Sequence, residues 1–193
     1  MAVIDSSKKE INFKIVYYGP AYSGKTTSIR QLQNRLNGKK SGVKKVEAEG
    51  QHTLFFDFLA LSSSDIGGYK TRFQIYTVPG QVLYEDSRKL LLKGVDGVIF
   101  VADSQMEKVG ENLSSMTELK SYLQQMGHTV QEVPMVIQYN KRDLPLAPLL
   151  EELRKTINVN HVADFETIAT QGVGVLEAFK ECTRQVLLTL KDL

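Results

Sequence analysis

The chain has 193 residues, room for one α/β domain over 1–193 with a sizeable core and too little for two. Its 24 basic and 22 acidic side chains leave a net charge of +2, a near balance that argues against wholesale electrostatic binding to nucleic acid. A lone cysteine, Cys182, excludes an internal disulfide and fits a reducing cytoplasm, and no apolar run is long enough to span a bilayer.

The start, Met1-Ala2-Val3-Ile4-Asp5, has neither a signal-peptide pattern nor the glycine that myristoylation needs. The C-terminus carries no prenylation cysteine, so no lipid anchor is expected. Residues 11–18 are apolar, β-branched and aromatic, and read as a strand. Gly19-Pro20-Ala21-Tyr22-Ser23-Gly24-Lys25-Thr26 follows at once. Glycine, four free positions, then Gly-Lys-Thr is the spacing of a phosphate-binding loop. Gly19 and Gly24 permit backbone angles that a Cβ forbids, so N–H groups around Ala21 and Ser23 can turn inward onto phosphate oxygens. Lys25 can reach the β- and γ-phosphates, and the Thr26 hydroxyl can ligate Mg²⁺. Residues 27–37, starting at Thr27, read as a helix whose N-terminal dipole favours the same anion.

Residues 38–45, with glycines, Ser41 and four lysines, read as a solvated loop. Strands are predicted over 53–61 and 70–78, joined by a turn at 62–69 into an antiparallel hairpin. Pro79-Gly80-Gln81 ends the second strand. A short helix over 83–93 and a buried strand over 96–103 follow. The 107–126 stretch reads as a helix with Val109, Leu113, Met116, Leu119 and Leu123 on one face. Then come a strand (133–139), a helix (149–157), a short strand (165–168) and a helix (175–190) with Leu176, Phe179, Val186 and Leu190 inward. Cys182 falls on that inner face, where packing is its expected role. Strands alternating with helices predict an α/β fold with a mostly parallel sheet and helices on both faces. Ligands of such sheets sit beyond the carboxyl ends of the strands, where the phosphate loop falls.

A second motif, Asn140-Lys141-Arg142-Asp143, also follows a predicted strand. Guanine offers N1–H and N2–H₂ donors to the Asp143 carboxylate, whereas adenine has neither and would leave the charge unmatched. A site built on such bonds can discriminate by on the order of 10⁴ to 10⁵. Asn140 can bond the N7 edge, and the Lys141 stem can lie along the ring.

With both motifs in this order, the chain resembles the Ras-like small GTPases over nearly its whole length. More narrowly it is similar to the bacterial MglA-type polarity GTPases. The closer likeness lies in Lys14-Ile15-Val16-Tyr17-Tyr18-Gly19-Pro20, Thr53-Leu54-Phe55-Phe56-Asp57-Phe58, Tyr76-Thr77-Val78-Pro79-Gly80-Gln81, Lys93-Gly94-Val95-Asp96-Gly97-Val98 and Gln138-Tyr139-Asn140-Lys141-Arg142-Asp143-Leu144-Pro145. The resemblance implies a Ras-like P-loop fold, with a six-stranded sheet in which one strand runs antiparallel. It implies a GTP/GDP switch with Mg²⁺, controlling polarity or motility through effectors and regulated by a GAP-type, roadblock-fold MglB-like protein. It also implies a cytoplasmic protein and raises recruitment to a cell pole. Thr53 would sit on Mg²⁺ and the γ-phosphate, Gly80 would sense that phosphate, and Gln81 would orient the attacking water. Ala169 would meet the base through its backbone. The catalytic candidates are therefore Gln81, Thr53 and Lys25, and the metal candidates Thr26 and Thr53.

Two positions depart from the small-GTPase pattern. Thr77 stands where most members have an Asp that holds Mg²⁺ through water, with Asp57 a candidate to supply the carboxylate. His52 stands where MglA-type proteins carry an arginine finger. These departures keep a rival open, a GTP/GDP-binding adaptor with little hydrolysis. A P-loop kinase is disfavoured, because residues 140–143 have no job there.

Overall fold

Strand β2 (Glu10–Tyr18) runs through the centre of the sheet and ends one residue before Gly19. The computed structural model describes residues 3–36, 44–46, 56–66, 68–78, 85–145 and 147–192, and of residues 3, 44–46, 56–66, 191 and 192 the backbone alone. A short β1 (Val3–Asp5) folds back antiparallel on β2. The phosphate loop then leads into α1 (Lys25–Leu36). Next come β3 (Lys44–Val46), β4 (Phe56–Ile66), β5 (Tyr69–Thr77), α2 (Glu85–Leu92) and β6 (Gly97–Asp103). A 3-10 turn, Met106–Lys108, precedes α3 (Val109–Gln125). The chain continues through β7 (Met135–Asn140), α4 (Leu150–Ile157), β8 (Ala163–Glu166) and α5 (Val175–Leu188).

The strand order is β3-β4-β5-β2-β6-β7-β8, with β1 beside β2. Five strands from β5 to β8 pair in parallel and β4 lies antiparallel on β5, as expected of a Ras-like sheet. The short β1 and β3 add two antiparallel pairings to those six. The expected turn over 62–69 is corrected: β4 continues through Ser62-Ser63-Ser64-Asp65 to Ile66, leaving only residues 67 and 68 between the strands. Cross-strand hydrogen bonds to β5 outweigh the weak β-propensity of three serines. Lys44 and Lys45, expected in a loop, instead pair with Phe58 and Asp57.

Because side chains alternate along a strand, β2 feeds two cores. Phe13, Ile15 and Tyr17 face α1 and α5, together with Ile29, Leu32, Phe179, Cys182 and Val186. Val16 and Tyr18 face the other layer, with Leu91, Leu92, Met116, Leu119, Leu123, Leu153 and Ile157. Burial pushes the Cys182 thiol pKa up and leaves it a packing group. Leu176 and Leu190 pack at the margin of the first core. The α3 face needs one correction: Leu113 is exposed, and its expected place is taken by Asn112 and Tyr122. All parallel strands end on one edge, bringing Gly19, Asp103, Asn140 and the segment after Glu166 together.

Candidate functional site

The phosphate loop is locked by close approach. Gly19 (φ 133°) and Gly24 (φ 107°) lie in backbone space that suits glycine. A Cβ on Gly19 would strike the Val101 carbonyl, and one on Gly24 would strike the Asn140 amide. The Lys25 ammonium, 7% exposed, donates to the Gly19 carbonyl at 2.9 Å and the Pro20 carbonyl at 2.5 Å. Burial, with like charge from Arg88, pulls its pKa down to about 7. Among the described residues the loop thus encloses a cation held by neutral carbonyls, an arrangement that favours an anion. Ser23 is fully buried, whereas Ala21, Thr26 and Thr27 are half-buried.

Asn140, at the end of β7, ties this loop to the rest of the edge. Its amide nitrogen donates to the Ser23 carbonyl at 2.7 Å, and its amide oxygen accepts from the Ala169 N–H at 2.8 Å and the Thr167 hydroxyl at 3.2 Å. The sequence suggests this side chain for the N7 edge of a base; in the fold both ends of its amide also join three loops. Around that junction lies a cleft of about 210 Å³. Gly24, Thr27 and Tyr22 form its phosphate-loop wall, and Lys141, Asp143 and Ala169 the wall opposite. Asp143 is exposed there, and Lys141 crosses to Asp103 with an Nζ–Oδ2 distance of 2.5 Å.

Five contributors escaped sequence reasoning: Asp103, Asn112, Arg88, Glu118 and Tyr122. Asp103 is 1% exposed and holds Lys141, while Asn112 from α3 brackets its backbone, accepting from the Asp103 N–H at 2.9 Å and donating to its carbonyl at 2.8 Å. A carboxylate ending a parallel strand on the ligand edge was the available signal. On the other flank, Glu118 of α3 accepts from Arg88 at 2.6 Å, from the Tyr18 hydroxyl at 2.6 Å and from the Tyr122 hydroxyl at 2.9 Å. This cluster joins α2 and α3 to the residue just before Gly19. No sequence spacing pairs Arg88 with Glu118.

Thr77, 4% exposed, ends β5 in register with Tyr17, beside the phosphate loop. With Thr26 it offers neutral, hard oxygen donors and, among the described residues, no cluster of three acidic or histidine groups stands ready for a metal. Hydroxyl oxygens are of the hard type that Mg²⁺ takes alongside water and phosphate oxygens, and neither of these two residues is the carboxylate it usually adds. His52, Thr53, Gly80 and Gln81 lie outside the described residues, as does the Asp57 side chain.

Strand, phosphate loop and helix, with a cleft at the ends of β7 and β8, fit a small GTPase. The profile of the ADP-ribosylation factor family matches residues 1–186, and the chain belongs to that family of GTP-binding proteins. It is 48% identical over 192 residues to the mutual gliding-motility protein MglA of Myxococcus xanthus, covering 99% of this chain and 98% of that protein. More distantly it is 24% identical to the Ras-related protein Rab-7a of Dictyostelium discoideum, over 94% of this chain and 86% of the relative. The Ras-related protein Rab-4A of Mus musculus is also 24% identical, over 91% and 74%. None of the described helices is long and apolar enough to cross a membrane.

Proposed function

We propose that the protein is a GTP/GDP switch that hydrolyses GTP slowly and governs cell polarity or motility through partners that bind one nucleotide state. The observation that carries this is the Asn140 junction, which holds a phosphate loop and a base cleft at one fixed separation. In this reading Lys25 takes the β- and γ-phosphates, Asp143 takes the N1–H and N2–H₂ edge, and the Ala169 backbone meets the base. The Lys141 stem lies along the ring, steadied by Asp103. Mg²⁺, held through Thr26 and Thr53, neutralises phosphate charge when bound. Gln81 orients a water whose oxygen bonds the γ-phosphorus as the bond to the bridging β-oxygen breaks. The products are GDP and inorganic phosphate, and the chain contributes positioning rather than covalent chemistry.

His52 sets the rate in this reading. An arginine finger is worth on the order of 10³ to 10⁵ in turnover, and an imidazole lacks its permanent charge and bidentate fork. His52→Arg is therefore expected to accelerate single-turnover hydrolysis in the presence of an MglB-like roadblock-fold partner, and Gln81→Ala to abolish what remains. An adaptor with little hydrolysis is the second reading, favoured by Thr77 in place of the metal-linked Asp. Turnover at background level with and without the partner would select the adaptor. The likeness to the Myxococcus gliding-motility protein supports the motility role, and a cytoplasmic location with recruitment to a cell pole belongs to the same proposal. Identifying the nucleotide released from freshly denatured protein tests the whole reading: guanine nucleotide is expected, and adenine nucleotide overturns it. Hydrogen exchange in GDP and in a non-hydrolysable GTP analogue tests the switch. Residues 42–54 and 79–92 should differ most, and identical exchange removes the switch.

A further inference from the structure

Tyr22 is the least economical residue of the phosphate loop. Its φ is 60°, a left-handed conformation that is a genuine outlier for a bulky side chain. The residue is 82% exposed, so no core packing offsets that strain. Glycine would suit the angle, and a polar residue would suit the exposure. Strain kept without packing points to a ligand.

The ring's position says which part. Tyr22 lines the same cleft as Asn140, Lys141 and Asp143, yet it belongs to the loop that encloses Lys25. A nucleotide spanning from Asp143 to Lys25 carries its sugar between the two, so a side chain on the phosphate loop that reaches the base cleft lies along that sugar. The opposite wall there is the Lys141 stem, held by Asp103. We infer that Tyr22 is a nucleotide-binding residue whose ring covers the ribose and the adjoining edge of the base, closing the cleft against the Lys141 stem. The aromatic face, not the hydroxyl, makes the contact.

This inference rests on the guanine-nucleotide reading of the site, and release kinetics separate the two. With a fluorescent GDP analogue preloaded and chased with GDP, Tyr22→Gly and Tyr22→Ala should release about tenfold faster than the native chain, the size of a lost aromatic stacking contact. Tyr22→Phe should restore native release. Glycine relaxes the backbone at φ 60°, so nucleotide-free Tyr22→Gly should melt no lower than native protein. Faster release then reports lost contact rather than damage. The chain contains no tryptophan, so Tyr22→Trp carries a single indole whose emission should change when GDP binds. Native-rate release from Tyr22→Gly overturns the inference and leaves the nucleotide reading intact, as does indole emission unmoved by saturating GDP. A native chain that retains no guanine nucleotide overturns both.

Discussion

The two ends of the proposed nucleotide site are built on opposite principles. At the base end Asn140, Lys141 and Asp103 are tied to other protein groups before any ligand arrives. Asn140 joins Ser23 to Ala169, Asp103 holds Lys141, and Asn112 holds Asp103. At the phosphate end Lys25 is buried against carbonyls with no anionic partner among the described residues, and the burial pulls its pKa down. The first arrangement recognises by fixed shape and hydrogen-bond polarity; the second stores an electrostatic debt that an anion settles. A switch needs both, because identity must be read the same way in each state while the phosphate count must change the energy.

Base discrimination should show the largest effect. Competition binding should favour GDP over ADP by on the order of 10⁴, and Asp143→Asn should collapse that ratio while raising affinity for xanthine nucleotides. Equal affinity for adenine and guanine nucleotides would break the base half of the comparison.

Lys25 sharpens the other half. Lys25→Met should lose GDP affinity by about 100-fold, yet the nucleotide-free variant should melt at or above the native temperature because a buried charge is gone. The pH dependence has a definite sign. With a folded-state pKa of about 7 against an unfolded value of 10.5, the lysine penalises the nucleotide-free fold fully below pH 7. That penalty is relieved as pH rises from there toward 10.5, since the unfolded chain then binds more protons. Phosphate restores the charge, so GDP binding at pH 8 should take up about one proton. Calorimetry in buffers of different ionisation enthalpy reads this, and Lys25→Met should abolish it.

Removing the junction should have a moderate effect. Asn140→Ala strands the Ser23 carbonyl and the Ala169 N–H and should cost about 1–3 kcal/mol of stability. In a chain of this size that is a melting drop of roughly 2–4 °C for each kcal/mol. A smaller response is expected from Glu118→Gln, which keeps the shape of the carboxylate but weakens its bonds to Arg88 and Tyr18. About 1 kcal/mol of local stability should be lost, seen as faster hydrogen exchange confined to α2 and the second half of α3. Unchanged exchange there would show that α2 is held by Leu91 and Leu92 alone.

Much of this was legible in the chain because it depends on short spacings. A loop of fixed length between strand and helix must turn its N–H groups inward, so Gly19 to Thr26 declare themselves without a fold. Asn140 to Asp143 and the alternating cores of β2 are equally local. The boundaries that failed depend on partners far away in sequence: β4 carries its serines as strand only because β5 lies beside it, and Leu113 is exposed because α3 turns Asn112 inward to bracket Asp103.

By itself, then, the sequence determined the chemistry offered to a nucleotide, since residue type and near spacing decide which groups can bind phosphate or read guanine. Only the tertiary structure decided what holds those groups. Asp103 meets Lys141 across 38 positions, Glu118 meets Tyr18 across 100 and Asn140 meets Ser23 across 117. Such pairs leave no periodic trace along the chain. They come into being when parallel strands end on a common edge, and the hydrogen bonds made there fix the site before any ligand enters.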